Sequence, residues 1–208
     1  MKNRILILGL LLLSFFATSQ TATTSGNAIR KEINAKFVNG LVKQYTISKL
    51  RQLRPSASDS STVYYSTDAG KEGVWKIKVG SSEADNLGTV LVCANWVRLE
   101  RVFDYVKPEW FGAVGDGITD DAQAIRFALD VCYAKSANLI LSPSVYFVGS
   151  EIQKPIVGFS VVGTKGKSTI KYSFGYACLK LTGMTNGGIE GVSFVSTHSN
   201  STEDEGYG

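Results

Sequence analysis

The chain is poor in histidine. Its single imidazole, His198, lies in a Ser/Thr/Asn run near residue 208, so His-based triads and multi-histidine zinc sites cannot be assembled from it. Charge of one sign is also lacking: 22 Lys and Arg face 18 Asp and Glu. Loss of Lys2 and Arg4 with a leader would leave 20 against 18, a balance that argues against nucleic acid or an anionic membrane as partner. No long apolar run exists. The apolar stretch Ile5–Phe16 covers twelve residues, too few to cross a bilayer comfortably.

That stretch reads instead as the core of a signal peptide. Lys2 and Arg4 form the basic segment before it, and Ala17 and Ser19 stand at −3 and −1 for cleavage before Gln20. An uncleaved anchor is the alternative, and no cysteine lies nearby to carry a lipid. The expected location is secreted, periplasmic or on a bacterial cell surface. Cysteine is scarce in this exported chain: with only Cys93, Cys132 and Cys178, at least one thiol stays unpaired. Cys132 on a predicted helix face and Cys178 in an apolar strand read as buried thiols acting as small hydrophobes.

What is present is organised around WFGAVGDGITDDAQAI, Trp110 to Ile125. Gly112, Gly115 and Gly117 mark backbone that turns tightly or takes positive φ. Helix-start signals follow: Thr119 or Asp120 as N-cap, Asp120 and Asp121 at the positive end of the helix dipole, and Gln123 completing an approximate capping box. Ile125, Ala128, Leu129 and Cys132 then form one apolar stripe of a helix ending near Lys135. Asp116, Asp120 and Asp121 also permit a calcium site or an acid–base carboxylate pair. The turn and the helix start account for all three without a ligand, so no metal or cofactor is assigned.

Before this pivot, residues 20–45 read as a linker and residues 46–106 as a small antiparallel β module. Thr46–Leu53 forms one or two helical turns with Leu50 and Leu53 inward, ended by Pro55. The segments 62–65, 74–79, 89–93 and 96–103 are β-branched or aromatic, with glycines between them. Trp75, Ile77 and Val79 alternate with Lys76 and Lys78, the period of a half-buried strand. Trp75, Trp96 and Tyr64 are read as core of this module, although such rings can also stack on sugars.

After the pivot, short apolar runs recur through 137–195. Val148, Ile170 and Val192 lie 22 apart; Ile140, Val161 and Leu181 lie 21 and 20 apart. That spacing is the mark of stacked coils. The run VVGTKGKST (161–169) has too few residues between its glycines for a phosphate-binding loop and is read as strand–turn–strand.

The stretch FGAVGDGITDDAQAI resembles the opening signature of the pectate-lyase-like superfamily, near its rhamnogalacturonase and epimerase-like branch. The layout from YYSTDAGKEGVWKI to NWVRLE resembles the module before the β-helix in phage tail and secreted bacterial β-helix proteins. The resemblance implies an all-β fold: the start of a single-stranded right-handed parallel β-helix, residues 107–208, closed by an N-terminal capping helix and preceded by the β module. It also implies an exported polysaccharide-processing protein, a glycoside hydrolase or polysaccharide lyase on acidic glycans. The alternative is a non-catalytic adhesin or a tailspike-like protein, with a homotrimer as its assembly. Catalytic groups of such enzymes lie on middle coils. About three coils are visible and residues 198–208 carry no capping pattern, so the chain reads as the N-terminal part of a longer protein, and catalytic and carbohydrate-binding residues stay unknown. The leader yields one prediction: intact-mass measurement of the exported protein should find an N-terminus at Gln20, and a mature chain retaining Met1 would overturn it.

Overall fold

The structure, a computed structural model, describes residues 42–60, 62–175 and 177–198. The leader, the cleavage site at Gln20 and residues 20–41 of the expected linker fall outside them. The chain divides into a leading unit, residues 1–43, of which only Val42 and Lys43 are described, and a compact unit over residues 44–208. Among the described residues no helix is long and apolar enough to cross a membrane.

The first half is an antiparallel sheet with one short helix. Strand β1 (Val42–Tyr45) takes in the last residues of the expected linker and leads into α1 (Ile47–Gln52). Thr46 caps that helix, its hydroxyl accepting the Lys49 amide at 3.2 Å, and Leu50 is fully buried. Strands β2 (Val63–Ser66), β3 (Gly73–Lys78), β4 (Val90–Val92) and β5 (Arg98–Val102) complete a sheet in the order β1-β2-β3-β5-β4. Its core gathers Ile47, Leu50, Tyr64, Trp75, Leu91 and Leu99. Trp75 is buried as its alternation predicts, and its indole donates to Ser66 Oγ at 3.0 Å. Val79 departs from the pattern: β3 has ended at Lys78, and Val79 stands 66% exposed.

The second half is a parallel β-helix of three faces. Its strands are β6 (Tyr105–Val106), β7 (Asp116–Asp120), β8 (Asn138–Ile140), β9 (Val145–Val148) and β10 (Ile152–Val157), followed by β11 (Val161–Val162), β12 (Ser168–Tyr172), β13 (Leu179–Thr185), β14 (Ile189–Glu190) and β15 (Val192–Ser196). One face stacks β14-β11-β8-β6, the second β15-β12-β9-β7 and the third β10-β13. Helix α2 (Ala122–Lys135) follows β7 where later coils place a third-face strand, and it packs on β10. Its stripe of Ile125, Ala128, Leu129 and Cys132 is buried in the same core as Val106, Leu139, Val161 and Ile152, as a helix laid over an otherwise open first coil requires.

The stacking register differs from the spacing read in the sequence. Val148 pairs with Tyr172, Ile170 with Tyr146 and Phe194, and Val192 with Ser168. The period on this face is therefore 24 residues, not 22. A slip of two keeps the same side chains pointing inward, which is why the alternation survived the error. Leu181 does not stack with Val161: it pairs with Lys154 on the third face, whereas Val161 pairs with Leu139 and Ile189. Strand β10 carries Pro155 in its interior, normally an argument against a strand. Here the register shifts between Lys154 and Ile156, so the residue without an N–H falls at the irregularity.

A carboxylate at Leu129, which is 1% exposed, would be buried without a partner. Leu129→Asp should lower the unfolding free energy by about 4 kcal/mol or prevent folding. Thermal and urea melts check this; a wild-type melt would mean the helix does not cover the coil.

Candidate functional site

The three aspartates of the pivot are brought together by one glycine-rich turn, and each is directed to backbone amides. The glycines adopt the left-handed conformations expected of them, with φ of 105° at Gly112, 69° at Gly115 and 75° at Gly117. Asp116 accepts the Ile118 and Thr119 amides at 2.9 and 2.7 Å and the Thr119 hydroxyl at 2.9 Å. These bonds hold its exposed carboxyl below the usual carboxylate range.

The capping arrangement differs from the expected one. Residues 116–120 form β7, so Thr119 and Asp120 lie in a strand, and the helix N-cap is Asp121. The Asp121 side chain makes no capping bond to α2. It turns back to accept the amides of Val114 at 2.7 Å and Gly115 at 3.1 Å, and it is 1% exposed. No capping box with Gln123 forms, because the cap side chain is already committed to the preceding turn. Asp120 does the helix-start work instead: its Oδ1 accepts the Ala122 amide at 3.0 Å and the Gly149 amide at 2.9 Å. A Cβ at Gly149 would lie 2.7 Å from the Asp120 carboxylate, so only glycine admits this approach. The three carboxylates thus knit turn, helix start and β9 together. Among the described residues no group of His, Cys, Asp or Glu is arranged to hold a metal ion.

Two buried polar arrangements escaped the sequence reading. Tyr146, fully buried, donates its hydroxyl to Glu109 Oε1 at 2.6 Å and accepts the Ser142 amide at 3.0 Å. Burial, reinforced by the Glu109 carboxylate, pushes the phenol far up. Arg101 is 2% exposed, and its guanidinium lies 4.3 Å from the ring centroids of both Trp75 and Trp110. It donates to the carbonyls of Gly88 (2.7 Å), Glu72 (2.9 Å) and Lys71 (3.1 Å). Burial pushes it down to about 9, so it remains a cation at neutral pH. Alternation along β5 offered a signal: Arg101 shares a parity with the inward Leu99, also fully buried.

The other singled-out residues fall in separate places. Tyr64 and Trp75 are core, as read. Trp96 is not: it is 74% exposed on the β4–β5 turn. Cys93, Cys132 and Cys178 are buried free thiols. Burial pushes Cys93 up to about 11, Cys132 up to about 12 and Cys178 upward as well, which makes thiolate chemistry unfavourable. His198 is exposed, and its amide donates to Ser196 Oγ. Residues 161–172 form strand, turn and strand; Ser168 fastens the turn by accepting the Thr164 amide and donating to the Leu141 and Ser142 carbonyls.

No protein-family model matches the sequence. Among solved structures, the chain is similar to the enzymatically active domain of tailspike protein 4 of bacteriophage CBA120, with TM-score 0.54 and 20% identity over 80% of this chain and 25% of that one. It is also similar to the tailspike protein of Acinetobacter phage vB_ApiP_P1, with TM-score 0.52 and 14% identity over 75% and 29% of the two chains. For the tailspike protein of Acinetobacter baumannii phage AM24 the values are 0.50 and 14%, over 72% and 32%. The chain therefore spans between a quarter and a third of the length of these proteins. Likeness at this identity establishes the fold, a parallel β-helix.

Asp121 supplies the prediction. Asn at this position can accept one of the two amides but sets an NH2 against the other, so Asp121→Asn should cost about 2 kcal/mol. The sequence reading, a trimmed dipole interaction, implies half of that or less. Burial raises the Asp121 carboxyl above its unfolded value, with the two amides pulling back. Its contribution is thus largest below the usual carboxylate range and declines as pH rises through the raised pKa. Melts at several pH values should show the wild-type advantage over Asp121→Asn shrinking from acid toward neutral pH, while Asp116→Asn leaves the melting temperature unchanged.

Proposed function

We propose that this chain is the opening part of an exported polysaccharide-binding β-helix protein of the pectate-lyase-like kind, in which the visible coils position and protect the fold and carry no reaction centre. The observation that supports this most directly is the use of the pivot. Each of its aspartates is engaged with backbone amides of the turn, the helix start or the neighbouring strand. A glycosidase needs two carboxylates presented across a substrate, and a lyase needs a base beside charge-neutralising groups. Carboxylates committed to the backbone serve neither role.

The motif resemblance and the shared fold with tailspike proteins support a glycan as partner, and acidic glycans first. Whether the full protein cleaves its glycan as a hydrolase or lyase, or only grips it as a tailspike-like or adhesin-like trimer, depends on groups beyond those placed here. Export, as the leader suggests, belongs to the same proposal.

The test is affinity electrophoresis and activity assay of the purified chain with polygalacturonate, alginate, dextran and glucomannan. Retardation in at least one acidic gel is expected, with no new reducing ends and no unsaturated uronate absorbance. Failure to be retarded by any of them removes the binding proposal. Turnover abolished by Asp116→Asn, Asp120→Asn or Asp121→Asn would make the pivot an active site.

A further inference from the structure

The β4–β5 connection contains a residue that local conformation disfavours. Val92 pairs with Arg98, Cys93 N donates to Val97 O at 2.8 Å, and Trp96 N donates to Cys93 O at 2.9 Å. Ala94, Asn95 and Trp96 therefore form a three-residue hairpin loop whose last member must be left-handed. That position is normally filled by glycine, because a side chain there crowds the backbone. Here it is tryptophan, at φ 65°. A bulky residue in this conformation is an outlier, and such outliers persist where a function requires them.

Nothing within the described chain offsets it. Trp96 is 74% exposed, against 0% for Trp75 and 5% for Trp110. Its indole makes no hydrogen bond and no ring contact among the described residues. The turn beneath it is nevertheless tied down. Asn95 Nδ2 donates to Pro55 O at 2.7 Å, and Arg98 donates through Nη1 to the Trp96 carbonyl and through Nε to Glu83 O at 3.0 Å. A rigid base carrying one exposed aromatic plane is a preorganised platform.

The surroundings suit a sugar better than a protein surface. The exposed apolar residue that the β3–β5 register brings to this end is Val79, which follows Lys78 across from Arg98. The rest is polar, with Glu83 against the Arg98 guanidinium, whose Nη2 has no acceptor among the described residues. A pyranose ring presents C–H groups on one face and hydroxyls at its rim, and a uronate adds a carboxylate that a guanidinium N–H can meet. We propose that Trp96 is the stacking platform of a binding site for an acidic sugar unit, with Arg98 beside it as the carboxylate-recognising group. The proposal rests on the polysaccharide reading above and names the surface that would carry it.

Trp96→Gly tests it, because glycine suits the turn and removes only the ring. The variant should melt at or above the wild-type temperature, yet lose at least tenfold in affinity for polygalacturonate in affinity electrophoresis. Since Trp96 is the exposed one of three tryptophans, polygalacturonate should also protect the wild type from acrylamide quenching. Equal retardation of wild type and Trp96→Gly, or binding without protection from quenching, overturns the platform and leaves the polysaccharide reading standing. Absence of retardation of the wild type in every acidic gel overturns both. If Trp96→Gly instead dissolves a wild-type oligomer in sedimentation velocity while glycan binding is unchanged, the ring serves a protein contact and the proposal fails.

Discussion

A stack of parallel strands cannot end on its own inward side chains: the first coil would offer water a row of apolar residues and unpaired peptide edges. Most of the chain between Arg98 and Ser136 answers that constraint. Helix α2 lays Ile125, Ala128, Leu129 and Cys132 over the core, and the turn at Pro108–Phe111 adds Trp110 and Phe111. Asp120 and Asp121 anchor the helix start to β9 and to the glycine turn. The antiparallel sheet is joined in turn through Arg101, a cation held between one tryptophan from each core. Three backbone carbonyls rather than a carboxylate balance it, an arrangement a planar guanidinium can satisfy and an ammonium cannot.

Legibility in the sequence followed the range of the interactions involved. The glycine turn, the apolar stripe of α2, the cap at Thr46 and the alternation around Trp75 are local patterns, and each appears where expected. Register is not local. The face carrying Val148 and Ile170 has a longer period than the spacing of its apolar residues implied, and Leu181 belongs to a third face that the sequence reading did not separate. Strand β10 was hidden by Pro155, whose effect is absorbed by a shift that only the neighbouring coil reveals. The role of Asp121 was misread for a related reason. Its position, next to a helix, suggested a cap, whereas its partners lie six and seven residues earlier in the turn. Trp96 was misread because hydrophobic patterning counts a tryptophan as core and does not register that its turn demands a left-handed residue.

These features separate two uses of polar chemistry. The carboxylates of the pivot and the guanidinium of Arg101 are structural: each has protein partners arranged around it, and removing any one would leave buried N–H or C=O groups unmatched. Trp96 is the opposite case, a large apolar surface with a fixed base and nothing on its face. Recognition is to be sought where local rules are broken without compensation, and here that is on the β module rather than on the coils.

The coils also differ in how evenly they are measured out. The face built on β9, β12 and β15 advances 24 residues at each step, from Val145 to Thr169 and from Ser168 to Val192. The face built on β8, β11 and β14 advances 22 residues from Leu139 to Val161, then 28 from Val161 to Ile189. One wall of the prism therefore keeps a constant pitch while the corners absorb every gain and loss of length. Residues can be added or removed between faces without disturbing the ladder, so the corners are where such a scaffold can diversify. Grafted loops would be tolerated there, and the even wall would serve as the ruler against which they are spaced.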